Sequence, residues 1–171
     1  REPTGFDIYG SIQIREREQG GENDLQDGGS RIGTKAFWQI RQHDYYVFGR
    51  YEAGFNVLSN LESRSEPGEE TGQIRNSFFT RLAYVGMDAP LGYLVLGKNW
   101  STYYAVAGLT DRFSGTGGSA SGTYNAQTDG GPTGTGRAGN VLQSKLSLEF
   151  LPHKLFKPFQ LNFQVQQGNS I

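Results

Sequence analysis

The strongest constraint on this chain is a period of two. From Phe159 to Gln166 (FQLNFQVQ) every odd position is Phe, Leu or Val and every even one is Gln or Asn. Helical spacing cannot gather those apolar residues on one side, whereas a β-strand puts them on one face and the amides on the other. The pattern recurs. Leu142, Ser144, Leu146, Leu148 and Phe150 alternate with Gln143, Lys145, Ser147 and Glu149. Phe6, Ile8, Gly10, Ile12 and Ile14 alternate with Asp7, Tyr9, Ser11, Gln13 and Arg15. Tyr45, Val47, Gly49, Tyr51, Ala53 and Phe55 alternate with a set that includes Arg50 and Glu52. Further strands are predicted at 30–41, 78–87 and 91–99, about seven in all. Most exceed the mean soluble strand of about 5–6 residues, and a tilted bilayer crossing needs about ten.

Composition narrows what such strands can build. The 171 residues suit one domain. Only 35% are hydrophobic, yet aromatics reach 13% and glycine 25 residues, with a mean hydropathy of -0.56. A soluble core gathers Leu, Val and Ile; many Tyr and Phe among evenly spread polar residues suit a wall between lipid and water. Disorder fits only the loops, because disordered chains are poor in aromatics. A net charge of -1 offers no field for nucleic acid. The absence of cysteine removes disulfides, thiol nucleophiles and CxxC metal sites. No run of about 18 apolar residues exists, which excludes a transmembrane helix but not a transmembrane strand. The opening Arg1-Glu2-Pro3-Thr4 lacks a signal-peptide pattern, as a processed N-terminus or a soluble cytoplasmic protein would.

The connections alternate in length: long (18–29), short (42–44), long (59–76), short (88–90), very long (100–137), short (152–158). That is the habit of an up-and-down antiparallel barrel with one protected end; a Greek-key sandwich has no reason for it. In the strand before the longest connection, Leu94, Leu96 and Lys98 share one face and Tyr93, Val95 and Gly97 the other. A face lining open water should be more polar. The following segment, with Tyr103, Tyr104, Ala105, Val106 and Leu109, is expected to fold inward over it.

Several stretches then resemble a known family. Ser30–Lys35 (SRIGTK), Tyr45–Phe55 (YYVFGRYEAGF) and Thr80–Met87 (TRLAYVGM) look like successive barrel segments of the general trimeric porins of Gram-negative bacteria. Leu91–Phe113 resembles the family's fifth strand and the start of its inward-folding third loop, and Gly136–Asn140 the re-entry into the sixth strand. The resemblance implies an outer-membrane homotrimer of sixteen-stranded barrels, each with a water-filled pore and an eyelet where wall cations face loop acids. Its wall arginines match Arg31, Arg81 and Arg137; Lys35 and Lys98 occupy further basic positions, Glu52 an acidic one, and Asp111 lies on the loop. Alternation independently puts Arg31 and Lys35 on one strand face. Two departures matter. The acidic Pro-Glu-Phe-Gly-Gly-like loop motif is missing, and Asp111 and Asp129 are the only carboxylates between 100 and 137, so the constriction is expected to lean towards anions. About seven strands also cannot close a porin-width barrel. The chain is thus expected to be about half of one barrel, a single domain over 1–171 incomplete at its C-terminus, with 100–137 as constriction loop.

The fold expected is therefore all-β, a transmembrane antiparallel up-and-down β-barrel with an inward-folded loop. The function expected is passive diffusion of small hydrophilic solutes and ions, without catalysis, cofactor or metal. The partners expected are outer-membrane lipid, lipopolysaccharide, sister subunits of a homotrimer and polar solutes in transit. One rival is a sugar- or anion-selective porin with an aromatic track. Another is a soluble β-barrel or sandwich binding module, whose apolar residues would fill a dry interior. A membrane-barrel hydrolase lacks a G-x-S-x-G elbow, and His43 and His153 fall in predicted short turns. Glu22–Asp27 (ENDLQD) lacks calcium-loop spacing and reads as solvated loop. Trp38, Tyr45, Tyr46, Phe55, Tyr84, Phe150 and Phe156 fall near predicted strand ends, where interfacial aromatics belong.

Overall fold

The structure, a computed structural model, describes residues 4–19, 22–40, 44–58, 78–110, 136–149, 151–152 and 159–167. In chain order its strands are β1 (Thr4–Ser11), β2 (Ile14–Gln19), β3 (Glu22–Asp27), β4 (Arg31–Ile40), β5 (Tyr45–Phe55), β6 (Phe78–Ala89), β7 (Gly92–Trp100), β8 (Arg137–Ser147) and β9 (Gln160–Gln166). Seven of them form one sheet in the order β1-β4-β5-β6-β7-β8-β9, and every pairing is antiparallel. Each main-sheet strand thus lies beside the next one along the chain, as an up-and-down barrel wall requires.

The connection between β1 and β4 differs from the loop expected at 18–29. It holds a separate hairpin, β2 with β3, and the alternation of Phe6–Ile14 breaks at Ile12-Gln13. Buried Ser30 ties the hairpin base to the wall: its hydroxyl accepts from the Gln13 amide at 3.0 Å. Asp27 closes the return, accepting from the Gly29 and Ser30 amides at 2.8 and 3.0 Å. Burial would raise the pKa of this carboxyl, but the bonds from Ser30 and Gly29 outweigh it and hold it below its ordinary value.

Cross-strand register sorts the side chains into two faces. On one, Phe6, Ala36, Gly49, Val85, Leu96, Leu142 and Val165 form a row across all seven strands. Beside it run Trp38, Val47, Met87, Leu94, Ser144 and Phe163. These apolar residues are exposed: Phe6 by 63%, Val85 by 60%, Leu96 by 58%, Val165 by 69%. A water-soluble monomer does not display an apolar band of that extent. Phe159, Leu161, Phe163 and Val165 are all exposed, which is the opposite of the dry interior that a soluble sandwich demands.

The other face carries the polar set and, beneath a cover, the small buried core. Leu82, Val95 and Val141 are buried there beside Gln143 and Glu52. A short helix, α1 (Thr102–Ala107), opens the 100–137 connection, and the Ser101 hydroxyl caps it by accepting from the Tyr104 amide. The Thr102 amide donates to Gln164 Oε1 at 2.9 Å, while Gln143 Nε2 donates to the same oxygen and to the Trp100 carbonyl. Both glutamines sit on the inner face, so this connection turns inward from its first residues. The stacking of Trp100 on Tyr104, with centroids 4.2 Å apart, fixes that turn. This is why β7 carries apolar residues on both sides: exposed on one, as Leu94 and Leu96 are, and buried on the other, as Val95 is.

Gly92 enables the tight return from β6 to β7. Its φ of +146° suits glycine alone, and a Cβ there would collide with the Lys145 carbonyl. Among the described residues no helix is long and apolar enough to cross a membrane. Trp38 and Tyr45 are exposed on the outer face; Tyr46 and Tyr84 belong by register to the inner face instead. Residues 59–76, Phe150, Phe156, His43 and His153 lie outside the described residues.

Candidate functional site

The inner face of β1, β4, β5 and β6 holds a charged cluster built by register. Tyr9 stands opposite Gly33, and Gly33 opposite Glu52. One row further from the long-loop rim run Asp7, Lys35, Arg50 and Tyr84. The period of two puts Arg50 and Glu52 on the same face, and Arg50 Nη2 meets Glu52 Oε2 at 2.8 Å. Arg81 arrives by a different device. A register shift between Glu52 and Ala53 leaves one extra residue on β6, and this bulge aims the Arg81 Nε at Glu52 Oε1, also 2.8 Å away.

Tyr9 completes the cluster. Its hydroxyl accepts from Arg50 Nε at 2.7 Å and donates to Glu52 Oε2 at 2.8 Å. Lys35 Nζ lies 4.9 Å and Arg50 Cζ 5.1 Å from the centre of its ring, both within cation–π range. The ring passes over Gly33, where a Cβ would lie 2.6 Å from the ring and 2.7 Å from the Tyr51 carbonyl oxygen. Gly33→Ala is therefore expected to push the ring off Glu52 and cost about 1–3 kcal/mol, the usual toll of overpacking. Guanidinium unfolding of the lipid-reconstituted protein would read this, and an unchanged midpoint would count against the packing described.

Glu52 is 3% exposed and already satisfied by two guanidiniums and a phenol. A carboxylate so committed is built to hold charge in place rather than to exchange a proton. Across these adjoining rows Arg31, Lys35, Arg50 and Arg81 face Asp7 and Glu52, an excess of positive charge fixed on the wall.

The sequence-predicted residues are thus partly gathered. Glu52 and Arg81 meet, Lys35 joins them only through the Tyr9 ring, and Arg31 stands in the next row opposite Ser11 and Gly54. Lys98 is apart: its register partner is Ala83, on the face of Leu94 and Leu96, and its Nζ donates to the Thr80 carbonyl at 2.8 Å. Arg137 is 1% exposed, and its guanidinium carbon is 5.4 Å from the centre of the Trp100 ring, at the base of the long connection. Asp111 and Asp129 lie outside the described residues. Tyr9 and Arg50 were missed as site residues, although strand parity alone puts both on the polar face. No group of His, Cys, Asp and Glu able to hold a metal ion occurs among the described residues.

A two-faced antiparallel up-and-down sheet with an inward-turning loop is the architecture of an outer-membrane-type β-barrel wall. No protein-family model matches the chain, and no curated protein does. Among solved structures it is similar to OmpT, an outer membrane protein of Vibrio cholerae folded in vitro and solved in a trimer form. The TM-score is 0.56 at 12% sequence identity, over 97% of this chain and 42% of that one. The chain therefore spans less than half the length of this neighbour, and the likeness is one of fold.

Proposed function

We propose that the chain belongs to a general porin, a passive diffusion channel for small hydrophilic solutes and ions in a Gram-negative outer membrane. The observation that carries this reading is the separation of the faces. Apolar side chains are exposed along one side of every main-sheet strand, while fixed charges and amides occupy the side over which the long connection turns. A wall of that kind separates hydrocarbon from a water column. The charged cluster then acts as a stationary field, and solutes are filtered by size and by that field, without cofactor or energy input. The trimer form of the structural neighbour supports a homotrimer bedded in lipid and lipopolysaccharide. The residues proposed to line the pore are Arg31, Lys35, Glu52 and Arg81 with Arg50 and Tyr9, and the segment 100–137 is proposed to narrow it.

The test is planar-bilayer recording on detergent-extracted protein. Stepwise ohmic conductance is expected, and a protein that stays water-soluble without detergent and never conducts would end the proposal. In a salt gradient the reversal potential is expected on the anion side, because four cations face two carboxylates on this part of the wall. Clear cation preference would overturn that part alone.

A further inference from the structure

On the inner face, beside the charged cluster, the wall turns aromatic. A cavity of about 450 Å³ opens there over Phe37 and Phe48, with Gly5, Asp7, Tyr46 and Asp88 among the residues around them. That volume falls within the size of small-molecule sites. Register builds the floor. Phe37 stands opposite both Gly5 and Phe48, and Phe48 opposite Gly86. The Phe37 ring fills the space a Gly5 Cβ would need, and the Phe48 ring that of a Gly86 Cβ. Each ring therefore lies down across the neighbouring strand, and both are half-buried. Tyr84 meets Phe48 edge-on, with centroids 6.2 Å apart, and steadies it. Two glycines thus make room for a flat aromatic platform on a polar face.

Polar rows bound the platform on both sides. Towards the long-loop rim run Asp7, Lys35, Arg50 and Tyr84; towards the short turns run Gln39, Tyr46, Asp88 and Tyr93. Lys35 and Gln39 are four residues apart on β4, which separates the rows by roughly 14 Å at about 3.4 Å per residue. That leaves room for one ring-sized solute. Lys35 and Arg50 adjoin Asp7, and Asp88 lies in the opposite row, so an ion of either sign meets repulsion as well as attraction. A neutral solute that both donates and accepts hydrogen bonds meets only partners. Neither acid has to be free for this. Asp88 already interacts with other groups of the protein, and Asp7 stands opposite Lys35. The two oxygens of a carboxylate offer about four acceptor sites, so one partner leaves others open, while the Tyr46 hydroxyl and the Gln39 amide can donate as well as accept. The floor in turn asks for C–H groups, because the negative face of an aromatic ring attracts the weakly positive hydrogens laid against it. A pyranose has both features: axial hydrogens on its faces and hydroxyls around its edge.

We propose that this platform is a subsite for neutral pyranosides, the sugar ring stacked on Phe37 and Phe48 and its hydroxyls shared between the two polar rows. The subsite rests on the channel reading only in that this face must meet water.

The probe is methyl β-D-glucopyranoside, titrated by saturation-transfer NMR against the protein in lauryldimethylamine oxide, a detergent without a sugar headgroup, with bilayer conductance recorded in parallel. Saturable binding is expected, with the axial protons of one ring face receiving the strongest transfer. Sorbitol, which keeps the hydroxyls and lacks the ring, is expected to bind about tenfold more weakly or not at all. Phe37→Leu and Phe48→Leu, which keep apolar bulk and remove the π face, are each expected to weaken sugar binding about tenfold. Unchanged heat-shifted migration in gels would show that both variants still fold. Sorbitol bound equally, benzoate or benzyltrimethylammonium bound more tightly than the sugar, or sugar binding untouched by both leucine variants would each overturn the subsite. Stepwise conductance without saturable sugar binding would remove the subsite and leave the channel standing; saturable binding without conductance would do the reverse.

Discussion

Replacing Val85 with arginine is expected to cost about 2–4 kcal/mol of unfolding free energy in phospholipid vesicles, the range for a cation placed at the midplane of a lipid-facing strand. Val85 sits in the centre of the outer row, between Gly49 and Leu96, and is 60% exposed. The two environments offered to it predict opposite results. In water, an exposed surface position tolerates such a change within about 0.5 kcal/mol. In hydrocarbon, the guanidinium must shed water or drag it in, and no acid stands in the same row to receive it. Asn162→Arg on the inner face supplies the control, since its cross-strand neighbour is Lys145 and its surroundings are polar. That control should lose far less. Denaturant titration of both variants in vesicles of one lipid, beside the parent protein, measures the difference directly. A Val85→Arg protein as stable as the control would place the apolar band in water and remove the ground for a membrane wall.

Why the faces were legible before the structure, and the cluster only partly, follows from what each depends on. Sidedness is a property of single strands. Phe159–Gln166 states it in eight letters, and a one-residue slip would turn every apolar group to the wrong face, so alternation is a strong specification. The main-sheet strands accordingly fall within a few residues of their expected limits. Contacts between strands depend on register, which alternation sets only modulo two. That Arg50 shares a face with Glu52 can be read from spacing; that Tyr9 lands beside both requires knowing that Gly33 stands between them. Arg81 was harder still, because parity along Thr80–Met87 is interrupted by the bulge that aims it. Lys98 shows the reverse. It matches a basic position by order along the chain, yet parity had already grouped it with Leu94 and Leu96, and its register partner Ala83 keeps it on that side. The β2–β3 hairpin overlaps the 18–29 connection, where the sequence predicts no strand because Glu22–Asp27 carries no apolar alternation, and it takes Ile14 and Arg15 from the alternation begun at Phe6; its strands pair with each other rather than against a core.

The cluster makes the second large prediction. Glu52→Ala is expected to lower stability by about 3 kcal/mol, near the bottom of the range for breaking a buried ion pair. The reasoning runs through what remains. Arg50 and Arg81 would face each other across the space the carboxylate held, and the Tyr9 hydroxyl would lose its acceptor. Their side chains are 28% and 14% exposed while that of Glu52 is 4% exposed, so the guanidiniums can recover part of their hydration from solvent. That keeps the loss from reaching the top of the range. Adding Arg81→Met should return part of it, because one orphaned charge is then removed and its stem volume retained. Such non-additivity in a double-mutant cycle is the signature of direct coupling. The same substitution should push the reversal potential further towards anions, since the wall loses one of its two acids in these rows. A Glu52→Ala protein with unaltered unfolding and unaltered selectivity would mean that the four side chains merely lie near one another. Loss of stability with selectivity unchanged would keep the cluster as a strut between β1, β5 and β6 and move the filter elsewhere, towards the 100–137 segment.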